Sequence, residues 1–174
     1  GWLIGEVVRR ITGKSFGTYF KEEVAEKVNA DFHIGVDPKH FHRIADVLEG
    51  DKPESLEEAN SFMDLDPESI MGRVMASFAE GVTEKDMASP EFRQAEIPAG
   101  NGHGNARSVV RAQTAMANDG EAFGVNLLSA KGVKRALELQ IEGVDQLMGL
   151  PISYCMGYAR RGDPFIPFGP IEST

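Results

Sequence analysis

The sequence predicts a mainly α-helical chain with a short strand near each end. Three observations predict it. Apolar residues recur three and four apart through most of the chain, the period of a helix with one buried face. Helix starts are marked repeatedly by an oxygen-bearing residue followed by proline, as in Asp37-Pro38, Asp66-Pro67 and Ser89-Pro90. Only two stretches, 32–36 and 152–158, alternate with the period of a strand. A chain of 174 residues is long enough to bury one sizeable core and too short for two ordinary ones.

The elements follow in order. Leu3, Val7 and Ile11 share a helix face beside Trp2, and Gly13 supplies a left-handed stop. Ser15 caps the next helix, whose face is Phe16, Phe20, Val24 and Val28, with Asn29 as its left-handed end. Phe32, Ile34 and Val36 form a short strand. Asp37-Pro38 opens a helix carrying Phe41, Ile44, Ala45 and Leu48, and Gly50 to Pro53 breaks it. Ser55 with Glu58 fits a capping box. Asp66-Pro67 opens a helix with Ile70, Val74 and Phe78 inward and Gly81 as its stop, and Ser89-Pro90 opens a shorter one. A glycine-rich loop, 98–105, leads into a helix from about Ala106 to Asn118 that Asp119-Gly120 ends. Val125, Leu127 and Leu128 suit an extended piece. Ser129 caps a helix with Val133, Ala136, Leu137 and Ile141, and Ile152, Tyr154, Met156 and Tyr158 give a closing strand.

Charge narrows the function. The net charge is −9, and nine acidic residues face a single lysine between Asp46 and Glu68. That run reads as a solvated face, with a docking surface for a basic partner as the alternative. The remainder is nearly neutral, so no nucleic-acid partner is expected, because such binding rests on neutralising phosphates with Lys and Arg. No apolar run approaches the ~18 residues of a membrane span, so no membrane partner is expected either. No leader pattern is visible, and the lone Cys155 fits a reducing compartment, which together predict a cytoplasmic location. The chain begins at Gly1 inside a helix pattern and stops without a finished element, as a piece of a longer polypeptide would.

The most unusual local feature is the string Ala99-Gly100-Asn101-Gly102-His103-Gly104-Asn105-Ala106-Arg107-Ser108. Three readings compete for it: a phosphate loop, a corner packing backbone on backbone, and a loop lining an active site. Its spacing fits neither the dinucleotide nor the P-loop pattern. His33, His40 and His42 lie close to Asp37, but on an α-helix His40 and His42 point to different faces, so no metal is expected. No Ser-x-x-Lys, Gly-x-Ser-x-Gly or Lys-Thr-Gly occurs. Thr18 and Lys21 have a nucleophile–lysine spacing and read as a helix surface, and Cys155 reads as a small buried hydrophobe.

The opening Gly1-Trp2-Leu3-Ile4-Gly5-Glu6-Val7-Val8-Arg9-Arg10-Ile11-Thr12-Gly13-Lys14-Ser15-Phe16 resembles a helix pair of the class C β-lactamase-like serine hydrolases. The bacterial family VIII-type carboxylesterases of that superfamily are the nearest in pattern. Ala30 to Gly35, Gly100 to Ser108 and Tyr154 to Pro167 resemble the same group, so the likeness spans nearly the whole chain. Relatives often carry Pro-Leu-Gly where Lys27-Val28-Asn29 stands here. Relatives outside the esterase branch carry Asp in the helix where Val110 and Arg111 stand, which leans toward esterases.

The resemblance implies the helical portion of an α+β, β-lactamase/penicillin-binding-protein-like fold. Residues 1–150 would be an all-helical domain with a strand near 32–36 and the glycine-rich turn at 98–105. Residues 151–174 would return to a sheet domain, the remainder of the same polypeptide. It implies an enzyme that cleaves small-molecule carboxylic esters through an acyl-serine, with no cofactor. The serine–lysine pair and tyrosine are expected before Gly1, and the third motif after Thr174, so no catalytic residue maps here. Asn101, His103 and Asn105 are the expected lining of the substrate pocket. The alternatives are a catalytically silent binding or assembly module of the same fold, and β-lactamase or D-peptidase specificity.

Overall fold

A computed structural model describes residues 1–46, 66–79, 84–147 and 149–159. The chain divides into two compact units that interleave in sequence, Gly1–Glu49 with Thr83–Ala130, and Gly50–Val82 with Lys131–Thr174. The expected capping box at Ser55 and Glu58, the break at 50–53, the stop at Gly81 and most of the acidic run lie outside the described residues.

In the first unit, α1 (Trp2–Thr12) ends on Gly13 with φ 72°, the left-handed stop its sequence asks for. Its apolar face forms, but Leu3, Val7 and Ile11 are not covered by the described residues. Ser15 then accepts from the Thr18 amide and starts α2 (Phe16–Phe20). The helix widens into one π-helical turn, Lys21–Ala25, which shifts its buried face so that Ala25 and Val28 point inward. Asn29 closes it at φ 51°. Thr18 is part of this cap, its hydroxyl accepting from that of Ser15 at 2.9 Å.

The strand β1 (Phe32–Ile34) pairs antiparallel with β2 (Gly102–Gly104), which lies inside the glycine-rich turn. The turn is therefore a strand, not a corner. The alternation of its glycines has a steric cause. Phe32 lies across the bare face of β2, and a Cβ on Gly102 or Gly104 would run into its ring. Phe20 meets Phe32 edge-on, with ring centroids 5.7 Å apart.

The helix expected from Asp37 to Leu48 is a shorter 3₁₀ segment, Pro38–Arg43. His40 and Ile44 each donate to the carbonyl three residues back, and Ile44 is already extended. Asp37 caps the segment as its sequence suggests, accepting from the Lys39 amide, but the pitch is 3₁₀ rather than α. The unit continues through α4 (Glu84–Met87) and α5 (Pro90–Gln94), the latter capped by Ser89. After β2, α6 (Ala106–Ala117) is capped by Asn105 and ends through Asp119 and Gly120 in positive φ. A tight hairpin follows, β3 (Glu121–Ala122) with β4 (Val125–Asn126). Val28, Ala115 and Ala122 form the core, with Ala30 and Leu127 against it. Arg111 ties this core together: its Nε donates to the Val28 carbonyl at 2.5 Å, and its guanidinium lies 3.9 Å from the Phe123 ring centroid.

In the second unit, α3 (Ile70–Ala79) begins after the Asp66-Pro67 turn, where Ser69 accepts from the Gly72 amide. The helix expected to run from Ser129 through Ile141 is α7 (Ala130–Ala136) alone, and Ile141 instead opens β5 (Ile141–Val144). That strand pairs antiparallel with β6 (Pro151–Tyr154), so the expected boundary at 150 falls within a hairpin. The closing strand does not reach Tyr158. Met156 donates its amide to the Ala136 carbonyl, Gly157 turns the chain at φ 77°, and Ala159 bridges back to Tyr154. Cys155 is buried, its thiol donating to the Tyr158 carbonyl.

Candidate functional site

The site is built on one face of the β1–β2 ladder. His33 stands directly opposite His103 in the register. Residues opposite each other across a ladder share a face, so both imidazoles lie on the side away from Phe32 and Ile34. The 3₁₀ segment supplies the facing wall. Side chains three apart eclipse on a 3₁₀ helix, which puts His40 and Arg43 together and leaves His42 out. The result is a cavity of about 370 Å³, bordered by Asp31, His33, His40, Arg43, His103 and Asn105 with Val36, Ile44 and Ala45 as its apolar part.

Hydrogen bonds fix the polar groups. Asp31 is anchored by its own amide, which donates to Ser108 Oγ at 2.9 Å. Its carboxylate accepts from Arg43 and pairs with His33 Nε2 at 3.0 Å. The Arg43 guanidinium, and after it His33, hold the Asp31 carboxyl below the usual range. The ring of His40 lies 5.3 Å from that of His33. Burial, then the nearby His33, Lys39 and Arg43, push His40 below the ordinary histidine value. His103 Nδ1 lies 2.7 Å from the Asn101 carbonyl oxygen.

The three residues expected to line a pocket take different positions. His103 and Asn105 border the cavity. Asn105 also caps α6, accepting from both the amide and the hydroxyl of Ser108. Asn101 is 3% exposed, with its side chain turned into the protein. It donates to the carbonyls of Phe92 and Ala95 and accepts from the Ile97 amide, so it staples the turn from behind. With β2 in a ladder and Asn105 capping α6, the turn serves as a strand rather than a phosphate cradle.

His33, His40 and Arg43 border this cavity, whereas the sequence suggests surface or capping roles for the two histidines rather than metal ligation. Alternation in Phe32-His33-Ile34 does mark His33 as facing away from the core. The i, i+3 spacing groups His40 with Arg43 on either helix type, but their placement against β1 and β2 is not signalled by the sequence. Among the described residues, no three His, Cys, Asp or Glu side chains converge as a metal site.

The pattern of the Beta-lactamase family matches residues 1–163. The chain belongs to the beta-lactamase family. This beta-lactamase-family chain is 28% identical over 165 residues to the Esterase/beta-lactamase LipL of Mycobacterium tuberculosis, covering 91% of this chain and 38% of LipL. Among solved structures it is similar to a penicillin-binding protein homolog from Caulobacter crescentus, at 27% identity and a TM-score of 0.67 over 95% of this chain and 41% of that one. A family VIII carboxylesterase matches at 29% identity and a TM-score of 0.65, over 91% of this chain and 40% of that one. The chain thus spans about two fifths of these relatives. The fold is the helical portion of the β-lactamase/penicillin-binding-protein-like architecture, and among the described residues no helix is long and apolar enough to cross a membrane.

Proposed function

We propose that this chain is the helical portion of a serine hydrolase that cleaves small-molecule carboxylic esters through an acyl-serine intermediate. The observation that carries the reading is the family match over residues 1–163, joined to relatives named as an esterase/beta-lactamase and a family VIII carboxylesterase. The serine, its lysine and the tyrosine that manages the proton come from the remainder of the polypeptide. A serine attacks the ester carbonyl, backbone amides hold the oxyanion, and water releases the acid. His103 and Asn105, on the cavity side of the ladder, meet the substrate. Asn101 acts from behind, as the staple that holds the turn.

A second reading is β-lactam hydrolysis in the same site, favoured by the double name of LipL. Turnover of short-chain p-nitrophenyl esters and of a chromogenic cephalosporin by the full-length chain separates the two. Ester turnover exceeding cephalosporin turnover in kcat/KM supports the esterase reading. Cephalosporin turnover without ester turnover overturns it.

A further inference from the structure

The tautomers in the cavity restrict what it can bind. A backbone carbonyl only accepts, so the His103 ring places a proton on Nδ1, toward Asn101. In the imidazole form Nε2 is then the lone pair, and among the described residues it takes no hydrogen bond. His33 is held the opposite way round. Its Nε2–H faces the Asp31 carboxylate. His103 therefore offers an acceptor at Nε2 on this wall of the cavity.

The charges around it cancel. Asp31 is paired with Arg43, and the nearby Asp37 with Lys39 at 2.8 Å. Burial and the cations beside it push His40 below the ordinary histidine value. With Asp31 paired to Arg43 and Asp37 to Lys39, neither an anion nor a cation meets an unpaired charge among these four side chains. An uncharged donor fits both the hydrogen-bonding and the electrostatic pattern. Val36, Ile44 and Ala45 supply apolar surface for the carbon skeleton that carries it.

We propose that this cavity is a specificity subsite for an uncharged hydrogen-bond donor on the substrate, a hydroxyl or amide N–H, received by Nε2 of His103. Asn101 is the positioning residue: its side chain staples the turn, and its carbonyl sets the tautomer. The proposal rests on the ester-hydrolase reading for its substrate, but not for its ligand chemistry.

The test uses the full-length chain and two esters, p-nitrophenyl 3-hydroxybutyrate and p-nitrophenyl butyrate. The expected kcat/KM ratio favours the hydroxylated ester by about fivefold or more, the size of one added hydrogen bond. His103→Phe removes the preference, and His103→Gln, which keeps an acceptor, retains part of it. Equal ratios in the wild type and His103→Phe overturn the proposal. If neither ester is turned over, the ester reading fails, and ¹⁵N-histidine NMR decides the subsite alone. A shift of the His103 Nε2 signal with 3-hydroxybutyramide, and none with butyramide, supports it. No difference between the two amides, or an Nε2 found protonated in the free protein at neutral pH, overturns it.

Discussion

His33 and His103 face each other across the β1–β2 ladder, yet their protons are directed by different partners, the Asp31 carboxylate for one and the Asn101 carbonyl for the other. The 3₁₀ segment of the first unit closes over this pair to form the cavity.

The staple should be expensive to remove. Asn101→Ala leaves two carbonyls and one amide without their partner in a buried place. At about 1–3 kcal/mol for each unsatisfied group, a loss of at least about 3 kcal/mol is expected, read as a lower denaturation midpoint at unchanged slope. Asn101→Asp keeps the acceptor but not the donor, and should cost a similar amount. A loss below about 1 kcal/mol in both variants would show that the turn does not depend on this side chain.

The glycine alternation makes a separable prediction. A Cβ at Gly104 would lie 2.5 Å from Phe32 Cδ2 and 2.9 Å from the Asp31 carbonyl oxygen. Gly104→Ala should therefore cost about 1–3 kcal/mol by overpacking. In a double-mutant cycle with Phe32→Ala, that cost should shrink, because the ring that blocks the methyl is gone. Strict additivity would argue that the aromatic face is not what demands glycine.

Acid should loosen the site in two stages. His40 sits below its unfolded value of 6.5, so the folded state resists protonation and stability falls as pH drops from 6.5 through the folded-state value. Asp31 sits below 3.8, so its pairing with Arg43 and His33 contributes above that pH and is lost as pH falls through its own folded-state value. His40→Gln should flatten the upper stage alone, and Asp31→Asn the lower one alone. The contribution of Asp31 is modest, because its side chain is 41% exposed and solvent screens the pair. Chemical denaturation of each variant across pH 7 to 2 is the check, and a wild-type slope surviving both substitutions would place the titration elsewhere.

The predicted role in turnover is direct. His103→Ala in the full-length chain should lower ester kcat/KM by about tenfold, the usual scale for losing one well-placed contact. The far-ultraviolet circular dichroism should stay unchanged. An unaltered kcat/KM would remove His103 from the site.

Much of the first unit was legible because its signals are local. Gly13, Ser15, Asn29, Ser89 and Asp119-Gly120 each impose a backbone conformation or satisfy an amide within a few residues, and each does so in the structure. What was not legible depends on partners far along the chain. Gly102 to Gly104 read as a loop because a strand with no side chains on one face has no alternation to show, and it becomes a strand only when Phe32 covers it. The segment at Asp37 and the helix before Ile141 are shorter than their apolar spacing suggests, for a related reason. Apolar spacing continues through both, but Ile44 turns extended after Phe41 accepts its amide, and Ile141 finds Tyr154 across a hairpin. Of the pocket residues, His103 and Asn105 border the cavity, while Asn101 faces inward because its amide group has three backbone partners there.

The most direct test of the central claim is the intact mass of the full-length chain before and after a fluorophosphonate. A serine hydrolase activated by its own lysine and tyrosine should gain one phosphonyl group and lose ester turnover in proportion. A chain that folds, retains this helical portion and takes up no adduct would contradict the account and leave a binding module of the same fold.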